Sequence, residues 1–510
     1  MILRQLHLGF RANVRWAEIL GPVVFILFAV CLEGCTVGPD FHPSAPPAVT
    51  GLTKEPIPES IQASSTPGDA QRFVLGRDIP GEWWTLFHSE PLTALVEQSL
   101  KANPDLQTAQ AALRVAMENV RGQQGLSFPI IGGGLTPLRS KDAAQLSPAL
   151  ASSALLYNLY QAQLNVSWTL DVFGGNRRQI ESLRAQADSR RFELEATYLA
   201  LTANVVSAAV QEASLRAQLA AAEDVIRLET DALEIVRHQN VSGQIAGAAV
   251  AAQEAALAQA QQTLPQLQKQ LAQQRDLLTA LAGRLPAEEI EQTFELSSLQ
   301  LPAELPISLP SQLVEQRPDI RIAEENLHAA SAQIGVATAN RLPTITLMAE
   351  DGTVATKLSQ LLQPGNGFWT IGANLTQSIF DAGTLRSRSR AAEAAYDQAA
   401  STYRSTVVSA FQNVADVLHA LQYDADSLKA AMNSERAAAR SLDITRRQLE
   451  LGQAAYLSLL TAQQTYQQAL MNRVQIQALR YADTAALFQA LGGGWWNRSD
   501  IAASIGLRGQ

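Results

Sequence analysis

The stretch QAQLNVSWTLDVF, residues 161–173, alternates between polar and apolar side chains almost without exception. Successive side chains of a β-strand point to opposite faces, so a period of two predicts a strand with one apolar and one polar face. A strand of about 9–13 residues is long enough to cross a lipid bilayer at a tilt. The stretch therefore predicts a membrane strand.

Three other segments alternate in the same way, and we expect them to form strands at residues 130–138, 344–350 and 369–379. A soluble β-sandwich would show many strands at short spacing, whereas these strands form two pairs beside long helical tracts. So few strands cannot close a membrane barrel, and an open edge in lipid would leave backbone groups without hydrogen bonds. We therefore expect further copies of the chain to complete the sheet.

A long tract without proline follows each strand pair. One runs from Gly175 to about residue 239, and the other runs from Thr384 to about residue 450. As α-helices that rise by about 1.5 Å per residue, each would extend for about 100 Å. Return helices are expected at about residues 248–282 and 455–491, and Pro265 should kink or interrupt the first of them.

Internal similarity indicates that the chain is duplicated. Four landmarks in the first half of the chain have counterparts in the second half, in the same order. NPDL (103–106) corresponds to RPDI (317–320), and FP (128–129) corresponds to LP (342–343). VFGG (172–175) corresponds to IFDAG (379–383), and the pair Arg237 and Gly243 corresponds to the pair Arg446 and Gly452. The two proline landmarks share one offset, since 318 − 104 and 343 − 129 both equal 214. We expect a first repeat at residues 83–300, a second at 301–496 and a tail at 497–510.

The N-terminus carries a predicted export signal, with three arginines before an apolar run at residues 20–32. The string LEGC at 32–35 resembles a bacterial lipobox, whose cysteine is acylated and becomes the first mature residue, although Glu33 departs from that pattern. We expect a signal peptide at residues 1–34 and a covalent diacylglycerol and N-acyl lipid on Cys35. The alternative is a plain signal peptide with an incidental cysteine. Residues 35–82 are rich in proline and predict an extended leader.

Enzyme chemistry is not indicated by this sequence. The six histidines show no metal-ligand spacing, and neither a GxSxG elbow nor a GxxxxGK[ST] phosphate loop occurs. The net charge of −9 and the pI near 5.3 argue against nucleic-acid binding, which needs a basic face. We therefore expect no catalytic residues, no metal site, no cofactor besides the lipid and no nucleic-acid partner.

Several short strings stand out along the chain: CTVGPDF at 35–41 followed by Pro43, WW at 83–84 with Phe87, PL at 91–92, NPDL at 103–106, and LGGGWW at 491–496. Together they resemble those of the TolC-like outer-membrane efflux proteins, in their lipoprotein (NodT-type) branch. The resemblance implies a mainly α-helical chain with transmembrane β-strands. It further implies a homotrimer with a 12-stranded outer-membrane β-barrel, four strands per chain, continued by a long periplasmic α-helical barrel.

The resemblance also implies a function and partners. The chain would be the outer-membrane channel of a tripartite efflux system, anchored by lipid and extending into the periplasm. It would export drugs, toxic organics or metal ions passively, together with a periplasmic adaptor (membrane fusion) protein and an inner-membrane pump. A type I secretion-like conduit for polypeptides is the alternative, and a periplasmic coiled-coil scaffold is a third reading that the apolar strand faces argue against.

Two site assignments follow from the resemblance. The turns between the long helices would form adaptor-docking grooves, with Arg237, Gly243, Arg446 and Gly452 as the docking residues. The alternative is that the glycines only terminate helices and the arginines are solvated.

The string YLSLLTAQ at 456–463 is similar to the segment that closes the pore in this branch, where a Leu and an Asp four residues later point inward. Leu457 matches that Leu, and Thr461 stands in place of the Asp. Residues four apart lie on one face of a helix. The alternative is that Leu457 is an ordinary coiled-coil core residue. The first repeat has Gly247 and Ala248 in the places of Tyr456 and Leu457, so we expect the second repeat to form the gate.

Overall fold

The computed structural model describes residues 36–49, 51–62, 70–143, 155–451 and 453–498. The predicted signal peptide, Cys35 and Gly452 lie outside these residues, as does the end of the predicted tail. Two compact units are present. We call them the sheet unit (residues 36–42, 116–187 and 326–400) and the helix unit (residues 43–115, 188–325 and 401–498). Both repeats contribute to both units, so the units do not follow the repeat boundary.

The elements alternate between helices and strands along the chain. The helices are α1 (Glu90–Ala102), α2 (Pro104–Gly125), α3 (Gly175–Val241), α4 (Gly247–Leu281), α5 (Pro310–Gln316), α6 (Pro318–Ala339), α7 (Thr384–Glu450) and α8 (Tyr456–Ala490). The strands are β1 (Ser60–Gln62), β2 (Ala70–Leu75), β3 (Ile130–Lys141), β4 (Leu156–Leu170), β5 (Glu304–Ile307), β6 (Thr344–Ala355) and β7 (Gly367–Thr376). Within the described ranges, no helix is both long and apolar enough to cross a bilayer.

The sheet unit contains an antiparallel sheet with the strand order β3-β4-β6-β7. Ile131, Val166, Ala349 and Ile371 lie side by side across it. The next row comprises Gly132, Asn165, Glu350 and Thr370. The first of these rows is apolar and the second is mostly polar, because neighbouring side chains on a strand point to opposite faces. The predicted four strands, including the glycine-rich first one, are therefore confirmed.

The ends of β4 and β7 differ from the prediction, which extended these strands to residues 173 and 379. The Asp171 carboxylate accepts hydrogen bonds from the backbone N–H groups of Asn176 (2.9 Å) and Arg177 (2.8 Å) and so caps α3. Asp381 caps α7 in the same way, and its bonds from the N–H groups of Leu385 and Gly383 lower the pKa of its carboxyl. Helix capping thus stops each strand early, although the alternating pattern continues.

The duplication is visible in the lengths of the elements. Helices α3 and α7 have 67 residues each, and α4 and α8 have 35 each. Their bounds differ by one constant offset, since 384 − 175 and 490 − 281 both equal 209. Helix α4 runs unbroken through Pro265, so the predicted interruption is wrong. Proline removes a single backbone donor, and the helical bonds on both sides persist.

The expected extended leader is more ordered than predicted. Strand β2 pairs antiparallel with β1 and parallel with β5, which lies at the start of the second repeat. β2 forms a strand because it hydrogen-bonds to β5, a segment far along the chain that the local sequence of β2 does not reveal.

The aromatic strings of the sequence form the core of the helix unit. Trp83, Trp84 and Phe87 are almost fully buried, and the Trp83 ring stacks on Phe488 with centroids 5.2 Å apart. The backbone turns sharply after α8 at Gly493 (φ +65°) and Gly494 (φ +69°). A Cβ at Gly493 would collide with Leu199, and one at Gly494 would collide with the carbonyl of Ile79. Close packing and positive φ both explain the glycines of LGGGWW.

A carboxyl pair joins α7 to α8 inside the helix unit. Asp424 is hydrogen-bonded to Asp483. Three causes raise the pKa of Asp424 to about 7: burial first, then the hydrogen bond with Asp483, then the like charge of Asp483. The fully buried Arg480 favours the charged form of Asp424. The Arg480 Nε donates to Gln71 of β2 (3.3 Å), and Gln71 donates to the carbonyl of Pro302 (3.3 Å).

Because of this carboxyl pair, we expect the thermal stability of the folded protein to depend on pH. A carboxyl whose pKa is raised by folding stabilises the protein below the unfolded pKa, and the stability is lost as the pH rises through the folded pKa. Replacing Asp483 with Asn removes the like charge. From about pH 5 to about pH 8, the Asp483→Asn protein should lose less thermal stability than the wild type, by a few degrees in Tm.

Thermal unfolding of the purified protein across this pH range measures the effect. The matched control is Asp426→Asn, at an exposed position on the same helix. Parallel pH profiles for wild type and Asp483→Asn would contradict the prediction.

Candidate functional site: the helical turns of the two repeats

The two turns that connect the long helices share one backbone geometry. The N–H of Gln244 bonds the carbonyl of Gln239 (2.9 Å), and 209 residues later the N–H of Gln453 bonds the carbonyl of Gln448 (2.8 Å). The N-cap residues Ala246 and Ala455 have matching extended conformations, with φ of −75° and −74°. The duplicated landmarks therefore fold into equivalent turns.

The first turn is exposed and carries two of the predicted docking residues. Gly243 has φ +72°, and a Cβ there would meet nothing within 4 Å. Conformation alone thus explains the glycine, while the space around it is open. The Arg237 guanidinium forms a 2.7 Å ion pair with Glu254 of α4, and both side chains are about half exposed. Arg446 of the second repeat is exposed as well.

Leu457 does not belong to the core of the chain. Its relative exposure is 70%, whereas Leu459 and Leu460 beside it are 5% and 7% exposed. A single chain therefore does not bury Leu457 in a coiled-coil core. Thr461 is also exposed, and its hydroxyl donates to the carbonyl of Leu457 (3.0 Å). The two predicted gate residues share one exposed helical face, as their spacing predicts.

A buried polar network beside this face was not predicted from the sequence. The Tyr456 hydroxyl bonds the side chain of Gln253 on α4. The Gln253 amide, which is fully buried, donates to the carboxylate (2.6 Å) and the carbonyl (2.8 Å) of Glu229 on α3. Burial raises the pKa of Glu229, and burial and the Glu229 charge raise the pKa of Tyr456. The network connects α8 to α3 and α4, the two long helices of the first repeat.

The signal for this network in the sequence is weak. Gln253 and Glu229 lie in helices that are rich in alanine, glutamine and glutamate, so neither residue stands out. Tyr456 differs from its counterpart Gly247, and that difference is the one local hint. A cavity of about 1010 Å³ lies next to this network, between α4 and α8. Glutamines dominate the described lining, and Glu229 is the one charged side chain among these residues. The sequence gives no clear signal for this cavity either.

In the described part of the chain, no group of three or more His, Cys, Asp or Glu side chains converges. The site is thus a pair of exposed helical turns, and Leu457 at the start of α8 is an exposed apolar side chain beside the second turn.

Comparison with known proteins identifies the family. A model described as "Outer membrane efflux protein" matches residues 95–284 and 309–493. The chain belongs to this outer-membrane efflux protein family. The two matched segments lie one in each repeat, so the family pattern is present twice.

Related proteins cover almost the whole chain. The toluene efflux pump outer membrane protein TtgC of Pseudomonas putida is 27% identical over 475 residues, which is 93% of this chain and 96% of that protein. The cation efflux system protein CusC of Escherichia coli is 26% identical over 470 residues, 92% of this chain and 97% of that protein. The structure of the outer-membrane channel OprN matches with a TM-score of 0.80 at 27% identity, covering 90% of this chain and all of that one.

The predicted family, fold class and outer-membrane location are therefore confirmed. Members of this family are channel proteins of efflux pumps, and this chain has the same fold. The expectation that it has no enzymatic activity stays a prediction.

Proposed function

We propose that this chain is the outer-membrane channel subunit of a tripartite efflux pump that exports small molecules passively from the periplasm to the exterior. The observation that carries the proposal is the family match in each repeat, together with a four-stranded sheet and paired long helices in one chain. The relatives are named for the export of toluene, cations and pyoverdine, so drugs, toxic organics or metal ions are the proposed cargo classes.

The assembly that this function needs is a homotrimer. Strands β3 and β7 are the edges of the sheet, and each has one neighbour in it. Pairing of β7 with β3 of the next copy would satisfy their backbone groups, and three copies would contribute 12 strands. The lipid proposed on Cys35 would add a second attachment to the outer membrane, since acyl chains bind a bilayer through their buried CH₂ groups.

The proposed partners are a periplasmic adaptor protein and an inner-membrane pump, commonly of the resistance-nodulation-division type. Arg237, Gly243, Arg446 and Gly452 are the proposed adaptor-docking residues. The open space around Gly243 and the exposure of both arginines support this role.

The gate is proposed at Leu457 and Thr461. An exposed leucine at the start of a helix loses its contact with water only when something outside the chain covers it. Copies of Leu457 that meet on a channel axis would exclude water and block ions. Copies of Thr461 would add hydroxyls and no charge, because each hydroxyl is neutral and donates to its own helix.

Replacing Leu457 with Ala should open the resting channel. The smaller side chain leaves a gap that water and ions fill, so leak conductance in planar bilayers should rise several-fold. The matched control is Leu479→Ala, another exposed leucine of α8 (54%) that lies far from the turn. A leak equal to that of the wild type would remove Leu457 from the gate.

Replacing Thr461 with Asp should make the channel more selective for cations. Carboxylates at the constriction attract cations and repel anions. The reversal potential in a salt gradient measures this change, and Thr461→Asn is the control that keeps the size without the charge. Identical reversal potentials for the Asp and Asn variants would argue against Thr461 facing the pore.

Efflux in cells tests the proposed function and its docking residues together. Deletion of the gene should raise the accumulation of an efflux dye and the sensitivity to at least one drug or toxic organic, and the wild-type gene should restore both.

Arg446→Glu should restore efflux only partly, because it reverses the charge at the docking turn, whereas Arg436→Glu, at an exposed position on the same helix, should restore it fully. If deletion instead abolished secretion of a polypeptide and left the uptake and toxicity of small molecules unchanged, the secretion-conduit alternative would replace the proposal.

A further inference from the structure

A buried arginine in the sheet unit holds the segment that follows Cys35. The Arg178 side chain is 5% exposed and lies in the first turn of α3. Its Nε donates to the carbonyl of Val37 (3.1 Å), and its Nη2 donates to the carbonyl of Gly38 (3.3 Å) and to the Asp40 carboxylate (2.7 Å). Its Nη1 donates to Glu181 (2.7 Å). Three of these four bonds go to the leader.

The same segment is held by backbone pairing and by close approach. The N–H of Val37 bonds the carbonyl of Phe173 (3.2 Å), three residues beyond β4. Gly38 has φ +99° and crosses Gly335 of α6 so closely that a Cβ on either glycine would collide. Both glycines are therefore required by the contact between the two segments.

An aromatic contact completes the set. The Phe41 ring stacks on the His328 ring with centroids 4.4 Å apart and an angle of 11° between their planes. The His328 Nε2 lies 3.1 Å from the Glu181 carboxylate, which also accepts from Arg178. The Arg178 guanidinium lowers the pKa of the Asp40 carboxyl, so Asp40 is charged across the neutral range.

The buried Arg178 guanidinium favours the state in which the leader is bound to it, because most of its partners lie on the leader. Of the four acceptors of Arg178 named above, three belong to the leader and one is Glu181. Without the leader only Glu181 would remain of these four, and a buried charge with too few partners is unfavourable. The arrangement binds two backbone carbonyls, a glycine, a carboxylate and an aromatic ring, all within residues 37–41. A segment that lay loosely on the surface would not need this set.

We propose that Arg178, Glu181 and His328, with Gly335, form a docking site for the start of the mature chain. The site holds Thr36 next to Gly174, in the connection between β4 and α3, and Cys35 immediately precedes Thr36 in the sequence. The lipid proposed on Cys35 then begins one residue before the docked segment instead of at the end of a free leader. Arg178 is a positioning residue for the anchor, and this role rests on the proposed lipidation.

Hydrogen exchange on the full-length protein, purified from outer membranes in detergent, tests the docking. Asp40→Asn and Phe41→Ala alter the leader alone, and Arg178→Gln alters the site. Each should speed amide exchange in the peptide that covers Val37 by about tenfold, because a charge-assisted bond or a ring contact is lost. Exchange in α6 and in the sheet should not change. The matched control, Arg184→Gln, replaces an exposed arginine of the same helix and should leave the leader protected.

Mass spectrometry of the same samples separates the two proposals. An acylated Cys35 with a protected leader supports both, and an acylated Cys35 with a leader that exchanges at the unprotected rate in the wild type overturns the docking site. A protected leader without acyl mass on Cys35 overturns the lipid proposal and leaves the docking of residues 36–41 in place. Unchanged leader exchange in both Asp40→Asn and Arg178→Gln would also overturn the docking site.

Discussion

The hydrogen-bonding demand of two edge strands is the constraint on which the rest of this structure depends. In the four-stranded sheet, β3 and β7 each pair on one side. The other side of each presents backbone N–H and C=O groups to its surroundings, and in lipid each unpaired group costs several kcal/mol. A chain of this kind is suited to a membrane only when other copies continue the sheet. The duplication supplies a suitable geometry, because the same strand pair occurs twice and the two pairs already join through β4 and β6.

The duplicated halves have kept their geometry and changed their chemistry. Four long helices share one offset of 209 residues, and their turns share the same backbone bonds. Repeated segments that pack side by side must match in length, because an unmatched helical turn would lose its packing surface. Side chains at the turns are not under this constraint. Tyr456 and Leu457 stand where the first repeat has Gly247 and Ala248, and they give the second repeat both an anchor in the core and an exposed apolar side chain.

Polar groups between the helices fix which faces meet. Alanine-rich helices can pack closely in several registers, since their surfaces are alike along their length. The bonds from Tyr456 through Gln253 to Glu229, and from Arg480 to Gln71, exist in one arrangement of these segments. Buried polar groups are costly without their partners, so each network disfavours the registers in which it is broken. The charged leader site at Arg178 follows the same principle in the sheet unit.

Much of this protein could be predicted from the sequence, because periodicity is a local property. The alternation at residues 161–173 predicted a strand, the proline-free tracts predicted the long helices to within a few residues, and the repeated prolines and glycines predicted the duplication. The same spacing placed Leu457 and Thr461 on one helical face. The cap residues Asp171 and Asp381 ended the strands earlier than the alternation indicated, because a side chain that bonds the next helix overrides the strand pattern.

The tertiary structure alone decided which distant residues meet. The parallel pairing of β2 with β5, the bond between Gln253 and Tyr456, and the docking of residues 37–41 on Arg178 and His328 join segments that are far apart in the chain. None of these residues has a neighbour in sequence that reveals its partner. The sequence by itself determined the elements and their repetition, since backbone propensity and side-chain period act over a few residues. The structure decided the buried polar contacts, since these depend on packing between elements.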